Sequence, residues 1–430
     1  MNIGIIGAGI SGLTAAWELQ KKGHSITIFE KEMNSGGIAR GFKEPEWDDS
    51  VEFFYHHWFQ KDKALINILQ ELNLSDHLTF KTPTTVMYYK GNFYPFDSIP
   101  AAILYPGLGF GLNKIRFGFV GLYLRMTKDW HDLEKVTAQE WMIKHAGEYV
   151  YKTMWEPMMI GKFGENFASK VNMAWLWARI YSRSTSLGTY SGGMQSFFDS
   201  FTQKLLEKKV RINFGESVLS VASQNDQKLI IKTAKDIYSF DKVLVTTSPE
   251  NCLELVPELS ENYQNKLKNL KNIGAVVLTI RLKKALSPKG YYWYNLPKQA
   301  GFPFLALVEH TNFIPSSHFN GETIVYAGDY LETDHPYFQL SQDELLNIYK
   351  PGLKKINPLF NDDWIIGCRK FETKYAQPIP FINQSQAIPD IQTSVPGLYL
   401  ATMSQVYPWD RGMNFAVELA EKASELIVKA

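Results

Sequence analysis

Residues 2–12 read Asn2-Ile3-Gly4-Ile5-Ile6-Gly7-Ala8-Gly9-Ile10-Ser11-Gly12, and this stretch decides the first part of the fold. Asn2 to Ile6 is short and mainly aliphatic, the pattern of a strand buried in a parallel sheet. After the glycines, Leu13, Ala16, Trp17 and Leu19 recur at helical spacing. Lys21 and Lys22 in the last turn and Gly23 beyond it end that helix in the ordinary way. A second buried strand runs from Ser25 to Phe29 and stops at Glu30, with Lys31 beside it. Gly7 allows a tight turn, Gly9 lets backbone amides approach a pyrophosphate, and Gly12 lets the helix pack close to the strand. The helix N-terminus, where Ser11 stands, offers free N–H groups and a positive dipole end to phosphates. Glu30 lies roughly 20 residues beyond the glycines, where an acid accepts ribose hydroxyls. Strand, glycines, helix, strand and acid in this order form a dinucleotide-binding unit, which alone does not separate NAD from FAD.

Three later features turn the reading toward FAD. Ser35-Gly36-Gly37-Ile38-Ala39-Arg40 follows the second strand, and its paired glycines suit a backbone wrapped on a phosphate whose charge Arg40 neutralises. The chain returns to the first domain through strands at Val210 to Phe214 and Ser217 to Ala222, with Val218 expected beside the adenine. Asp241 to Thr247 then reads as a buried strand leaving into a polar turn with Pro249, and Thr247 is taken as a cofactor contact. Finally, Gly397 to Thr402 is a strand, followed by a loop, Asp410-Arg411-Gly412-Met413-Asn414, and a helix. Phe415, Ala416, Leu419, Ala420, Ala423, Leu426 and Ile427 share one face of that helix. Its positive end points at the loop, so Arg411, Gly412 and Met413 are expected beside the negative charge that a reduced flavin carries near N1 and O2.

Whole-chain properties bound the rest. A chain of 430 residues fits two domains. Its 45 basic and 44 acidic residues give no reason to expect nucleic acid as a partner. Cys252 and Cys368 are too few and too far apart for a disulfide framework or a cysteine metal site, and a cytoplasmic context is expected. Ile3 to Ala16 is apolar but lacks the basic flank of a signal peptide. Ile99 to Leu124 is interrupted by Asn113, Lys114 and Arg116, so it does not read as a bilayer span. Leu104 to Met126, with Lys114, Arg116, Arg125 and Lys128, reads first as a helical hairpin of the second domain. Peripheral membrane contact through residues 100–128 is the alternative.

The chain resembles the superfamily of flavin-containing amine oxidases, protoporphyrinogen oxidases and phytoene desaturases, most nearly its bacterial protoporphyrinogen-oxidase-like members. The residues that carry this likeness are the first glycines with Glu30, Gly36-Gly37 with Arg40, the strand and turn from Val243 to Pro249, and the C-terminal strand, loop and helix. Tyr55-His56-His57, Trp155-Glu156-Pro157, Gly161-Lys162-Phe163-Gly164 and Trp175-Leu176-Trp177-Ala178-Arg179 add to it. Two departures stand out: Thr402-Met403 occupies the place of a glycine-acid pair in many relatives, and Arg40 follows the glycine pair only after Ile38-Ala39. The expected fold is α/β (α+β overall). A discontinuous Rossmann-like FAD-binding domain spans residues 1–80, 195–265 and 386–430, and a mixed sheet-plus-helix substrate domain spans 81–194 and 266–385.

Within the second domain, Thr85 to Tyr89 and Asn92 to Tyr94 suggest a hairpin turning at Lys90-Gly91. Thr137 to Ser184 reads as mainly helical, and four further strands are expected at 276–281, 291–294, 304–308 and 323–327. Ser341 to Tyr349 reads as a helix entered by a capping box with Glu344. His56, His57, Lys162 and Arg179 are the candidate catalytic residues. An imidazole moves a proton or orients a substrate near neutral pH, Lys162 holds a water or an anionic group, and Arg179 with Arg183 on one helix face binds a carboxylate or phosphate. Ordinary structural roles stand beside each reading. No histidine spacing supports a metal, and no serine or cysteine nucleophile is apparent, which is reasonable where a flavin performs the chemistry. The resulting expectation is an FAD-dependent oxidoreductase that takes a hydride from a hydrophobic small molecule. The alternatives are a non-redox flavin mutase on a sugar nucleotide and a binding protein without chemistry. An NAD-dependent dehydrogenase would leave the C-terminal strand, loop and helix unexplained.

Overall fold

The aliphatic run Asn2–Ile6 occupies the centre of a parallel sheet, where both faces are covered. The computed structural model describes residues 1–224 and 228–429; residues 225–227 and 430, within the expected first-domain segments, lie outside the described residues. Among the described residues this sheet has five strands in the order Arg211–Asn213, Ser25–Phe29, Asn2–Ile6, Lys242–Val245 and Leu398–Leu400, all parallel. The helix Ile10–Lys21 and the C-terminal helix Met413–Lys429 pack together on one face, through Leu13, Ala16, Val417 and Ala420. An antiparallel layer, Val218–Ser223, Leu229–Thr233 and Ile237–Phe240, covers the other face through Val221, Ile231 and Phe240. The buried stripe of the C-terminal helix runs through Met413, Val417, Ala420, Ser424 and Ile427. Phe415 and Leu419 are half-buried and line a cleft.

The second sheet has seven strands among the described residues, in the order Ile365–Pro378, Asn272–Leu282, Thr323–Leu331, Ala306–Glu309, Trp293–Asn295, Thr85–Tyr89 and Asn92–Pro95. Its pairings are antiparallel except where Trp293–Asn295 meets Thr85–Tyr89. Lys90 (φ 46°) and Gly91 (φ 87°) both take left-handed conformations at the hairpin tip, as a two-residue turn matched to strand twist requires. The helix entered at Ser341 has both halves of its capping box and extends to Ile356, seven residues past the expected end. Pro351 interrupts its bonding but not its course, because Leu353 and Ile356 beyond it are held in the core. The long edge strand Ile365–Pro378 was not foreseen; it is half-buried along much of its length, so its sequence lacks a clean two-residue alternation.

A group of helices follows the hairpin in sequence. Ala138–Ala146, Glu156–Phe163 and Met173–Ser182 close a core around Met142, Met159, Trp175 and Trp177. The last of these ends at Ser182, and Arg183 is extended (φ −54°, ψ 127°). Arg179 and Arg183 therefore do not share one helix face, contrary to the sequence reading. Outside the helix, the Arg183 guanidinium donates to the Phe96 carbonyl at 3.2 Å.

Candidate functional site

A cleft of about 2580 Å³ runs between the two sheets. Each sequence-derived candidate except Gly12 lines it: Gly7, Gly9, Ser11, Glu30, Lys31, Gly36, Gly37, Arg40, Val218 and Thr247, then Arg411, Gly412 and Met413, then His56, His57, Lys162 and Arg179. Gly12 acts underneath. A Cβ there would lie 2.0 Å from the Gly7 carbonyl oxygen, so its contribution is the contact of helix with strand.

At one end of the cleft two glycine loops abut. Gly7 turns with φ 106° and donates to the Phe29 carbonyl at 2.8 Å, and the Gly36 amide donates to the Ala8 carbonyl at 2.9 Å. A Cβ on Gly37 would stand 3.3 Å from Gly9 Cα, leaving little room for side chains between the loops. Glu30 accepts from the Ala8 amide at 2.7 Å and the Glu32 amide at 3.0 Å. A carboxylate has about four lone-pair sites, so acceptor capacity remains for hydroxyls. Ser11 donates to the Ala416 carbonyl at 3.4 Å, tying the two helix N-termini together. Arg40 pairs with Glu32 at 3.1 Å and lies over the Phe53 ring, so part of its charge is already matched. Lys31 is exposed. The buried Thr247 Oγ1 and Arg411 Nε have no hydrogen-bond partner among the described residues. Orphaned donors beside a glycine cradle and a helix N-terminus fit a dinucleotide with a pyrophosphate.

Midway along the cleft, Asp410 gathers charges from two helices, Glu156–Phe163 and Met173–Ser182. Lys162 Nζ lies 3.0 Å from Asp410 Oδ2, the Arg179 guanidinium bonds the same oxygen, and the Trp175 indole donates to Oδ1 at 3.2 Å. Arg411, next in sequence, bonds the Tyr330 hydroxyl. Burial opposes ionisation of Asp410, yet Lys162, Arg179 and Arg411 together hold its carboxyl well below the usual carboxylate range. The Lys162 ammonium is pushed well down by burial and by the like charges of Arg179 and Arg411. Arg179 and Arg411 act on both groups, holding Asp410 ionised and disfavouring the charge on Lys162. Asp410 stood in the quoted C-terminal loop but was not recognised as the hub; the signal was an acid immediately before Arg411, with cationic residues in two other motifs.

The histidines occupy the wall beyond. His56 bonds the Phe54 carbonyl through Nδ1, and burial with Arg411 nearby lowers its pKa to about 4. His57 Nε2 is 3.2 Å from the Tyr292 hydroxyl, and burial with His310 and His56 nearby lowers its pKa to about 3. Neighbouring Glu52 is buried, receives a hydrogen bond from the Tyr326 hydroxyl at 3.2 Å, and is pushed up to about 7 by that burial. Tyr292, Tyr326 and Glu52 were not singled out in the sequence, because they sit on strands whose pattern reports only packing. At the departure from the family pattern, Thr402 closes a capping box with Gln405 and its hydroxyl lies 2.9 Å from that of Tyr375. No carboxylate is carried there.

Comparison with known proteins agrees with this geometry. Residues 10–428 match the family model described as flavin containing amine oxidoreductase. A coproporphyrinogen III oxidase from Staphylococcus aureus is 22% identical over 286 residues, 57% of this chain and 60% of that protein, so the chain spans less than two thirds of that relative. Among solved structures, cyclohexylamine oxidase from Brevibacterium oxydans superposes with a TM-score of 0.74 at 14% identity, covering 100% of this chain and 98% of that one. A reduced UDP-galactopyranose mutase superposes with a TM-score of 0.75 at 16% identity, covering 100% and 95%. At such identities the structural likeness speaks for the fold alone. The family match does more: this chain belongs to the flavin-containing amine oxidoreductase family.

Proposed function

We propose that the flavin is FAD and that the enzyme takes a hydride from a hydrophobic or planar organic substrate, oxidising a C–H or C–N centre. One observation carries this reading: a single cleft joins the glycine cradle, the Asp410 cluster and a chamber walled by Tyr55, Tyr89, Phe96, Trp155 and Trp293. Its volume of about 2580 Å³ exceeds the roughly 300–1,000 Å³ of a pocket for one small ligand, leaving room for a dinucleotide and a substrate together. When bound, FAD supplies the two-electron chemistry, accepting the hydride at N5 and passing the electrons to an acceptor.

The protein's own residues bind, orient and shield. Amides of the two glycine loops hold the pyrophosphate, and Glu30 accepts from the ribose. Arg411, Gly412 and the N-terminus of the final helix oppose negative charge at the far end of the cofactor. Arg179 and Arg411 outnumber Asp410, and their surplus positive field favours developing negative charge beside the cluster. With pKa values near 4 and 3, His56 and His57 are neutral at pH 7, so they act by hydrogen bonding and not as charged acids.

The test is anaerobic mixing of the purified protein with a panel of apolar amines and planar polycyclic substrates. Loss of the oxidised-flavin absorbance with formation of oxidised product is expected for at least one class. Turnover of a sugar nucleotide only after pre-reduction, with no net electron transfer, would instead establish the mutase reading. Arg179 and Arg183, the phosphate partners that reading requires, are engaged by Asp410 and by the Phe96 carbonyl.

A further inference from the structure

Residues 100–128 carry an apolar surface that the mechanism above does not use. Of the large hydrophobic residues that stand exposed among those described, nine of 21 fall between Ile103 and Met126. The helix Leu112–Met126 explains the concentration. It packs inward through Val120 and Leu124, yet Leu112, Ile115, Phe119, Leu122 and Met126 recur at three- and four-residue spacing on its outer side. Phe119 is 69% exposed, Met126 71% and, in the preceding loop, Phe110 95%. Gly118 and Gly121 lie on the same helix with nothing within 4 Å of an added Cβ, so neither is required by packing. A continuous face of this kind on a water-soluble surface marks a contact.

Charge identifies the contact. From Ser98 to Lys128 the sequence has no acidic residue, and Lys114, Arg116, Arg125 and Lys128 are spread along it. A second copy docked isologously would set this cationic face against itself. A bilayer rich in anionic headgroups matches both its apolar and its basic character. The helix has 15 residues, a length of about 22 Å. That is short of the ~30 Å hydrocarbon core, and no helix among the described residues is long and apolar enough to cross a membrane. The surface also adjoins the cleft, whose lining includes Arg125 from this helix and Tyr105 from the segment before it.

We infer that residues 100–128 form a docking surface for an anionic phospholipid bilayer, seated in its headgroup region with the cleft opening beside it. This goes beyond the reaction proposed above and does not depend on the identity of the substrate.

The test is flotation of the full flavin-loaded protein with phosphatidylcholine vesicles, with and without phosphatidylglycerol. Binding to the anionic vesicles, weakened by salt, is expected. The triple variant Phe110→Ser, Phe119→Ser, Leu122→Ser should lower the partition coefficient by about tenfold or more while keeping the flavin spectrum and melting temperature. Arg116→Glu with Lys128→Glu should abolish the preference for phosphatidylglycerol. Failure of the native protein to float, or unchanged flotation of the triple variant, overturns the inference. So does sedimentation showing a dimer that the triple variant dissociates, with no vesicle binding.

Discussion

In the glycine cradle the contacts come from backbone: left-handed turns at Gly7 and Gly36, amides at a helix N-terminus, and one carboxylate, Glu30, that braces two of those amides. In the Asp410 cluster they come from side chains brought together from residues 162, 179 and 410–411 on separate elements. The first is written within some 30 consecutive residues and depends on the absence of side chains. The second depends on three elements meeting and on a charge imbalance that exists only once they do. Changes in the cradle should therefore act through shape, and changes in the cluster through electrostatics that a second change can relieve.

Gly12→Ala should have the largest effect. Its Cβ would meet a backbone oxygen at 2.0 Å, an overlap that neither the helix nor the strand can relieve by a rotamer change. A loss of about 3 kcal/mol or more is expected, with flavin content falling in parallel. Thermal melting and the flavin-to-protein absorbance ratio check it, and unchanged values would refute the packing role.

Asp410→Asn comes next. It leaves Lys162, Arg179 and Arg411 without their anion and should cost on the order of 3 kcal/mol in denaturant unfolding. Adding Lys162→Met should recover a substantial part of that loss. Strict additivity of the two changes would show that the cluster is not a coupled unit.

Glu30→Gln keeps the shape of the cradle but removes the charged acceptor. A flavin affinity about tenfold weaker is expected from titration of the apoprotein, together with about 1 kcal/mol of stability lost as one backbone amide gives up its acceptor. Loss of stability with unchanged affinity would move Glu30 from cofactor binding to structure.

The smallest effect concerns pH. His57 has a folded pKa of about 3, below the ordinary value of 6.5. Between pH 6.5 and about 3 the unfolded chain binds the extra proton, so His57 lowers stability as the pH falls through that window. Buried Glu52, Glu309 and Asp329, each raised to about 7, act in the opposite sense, because the folded state holds their protons. The difference between the native protein and His57→Asn isolates the histidine: the variant should lose less stability on acidification. Parallel pH curves would contradict the assignment.

The same contrast accounts for what the sequence reveals. The βαβ unit, the Lys90-Gly91 turn and the Ser341 capping box were legible because each is set by neighbours in sequence. Arg183 leaving its helix was not, because its partner there, the Phe96 carbonyl, lies 87 residues away in sequence. The edge strand Ile365–Pro378 was missed because an edge exposes both faces and blurs alternation. Of the candidate site, Lys162 and Arg179 were found separately, but Asp410, which joins them, needed the fold.

The measurement that tests the account most directly is chromatographic identification of the cofactor released when the purified protein is denatured. The account predicts FAD in near-stoichiometric amount, lost from Gly12→Ala and diminished in Glu30→Gln. A protein that stays colourless after incubation with FAD, or that releases NAD instead, would contradict it.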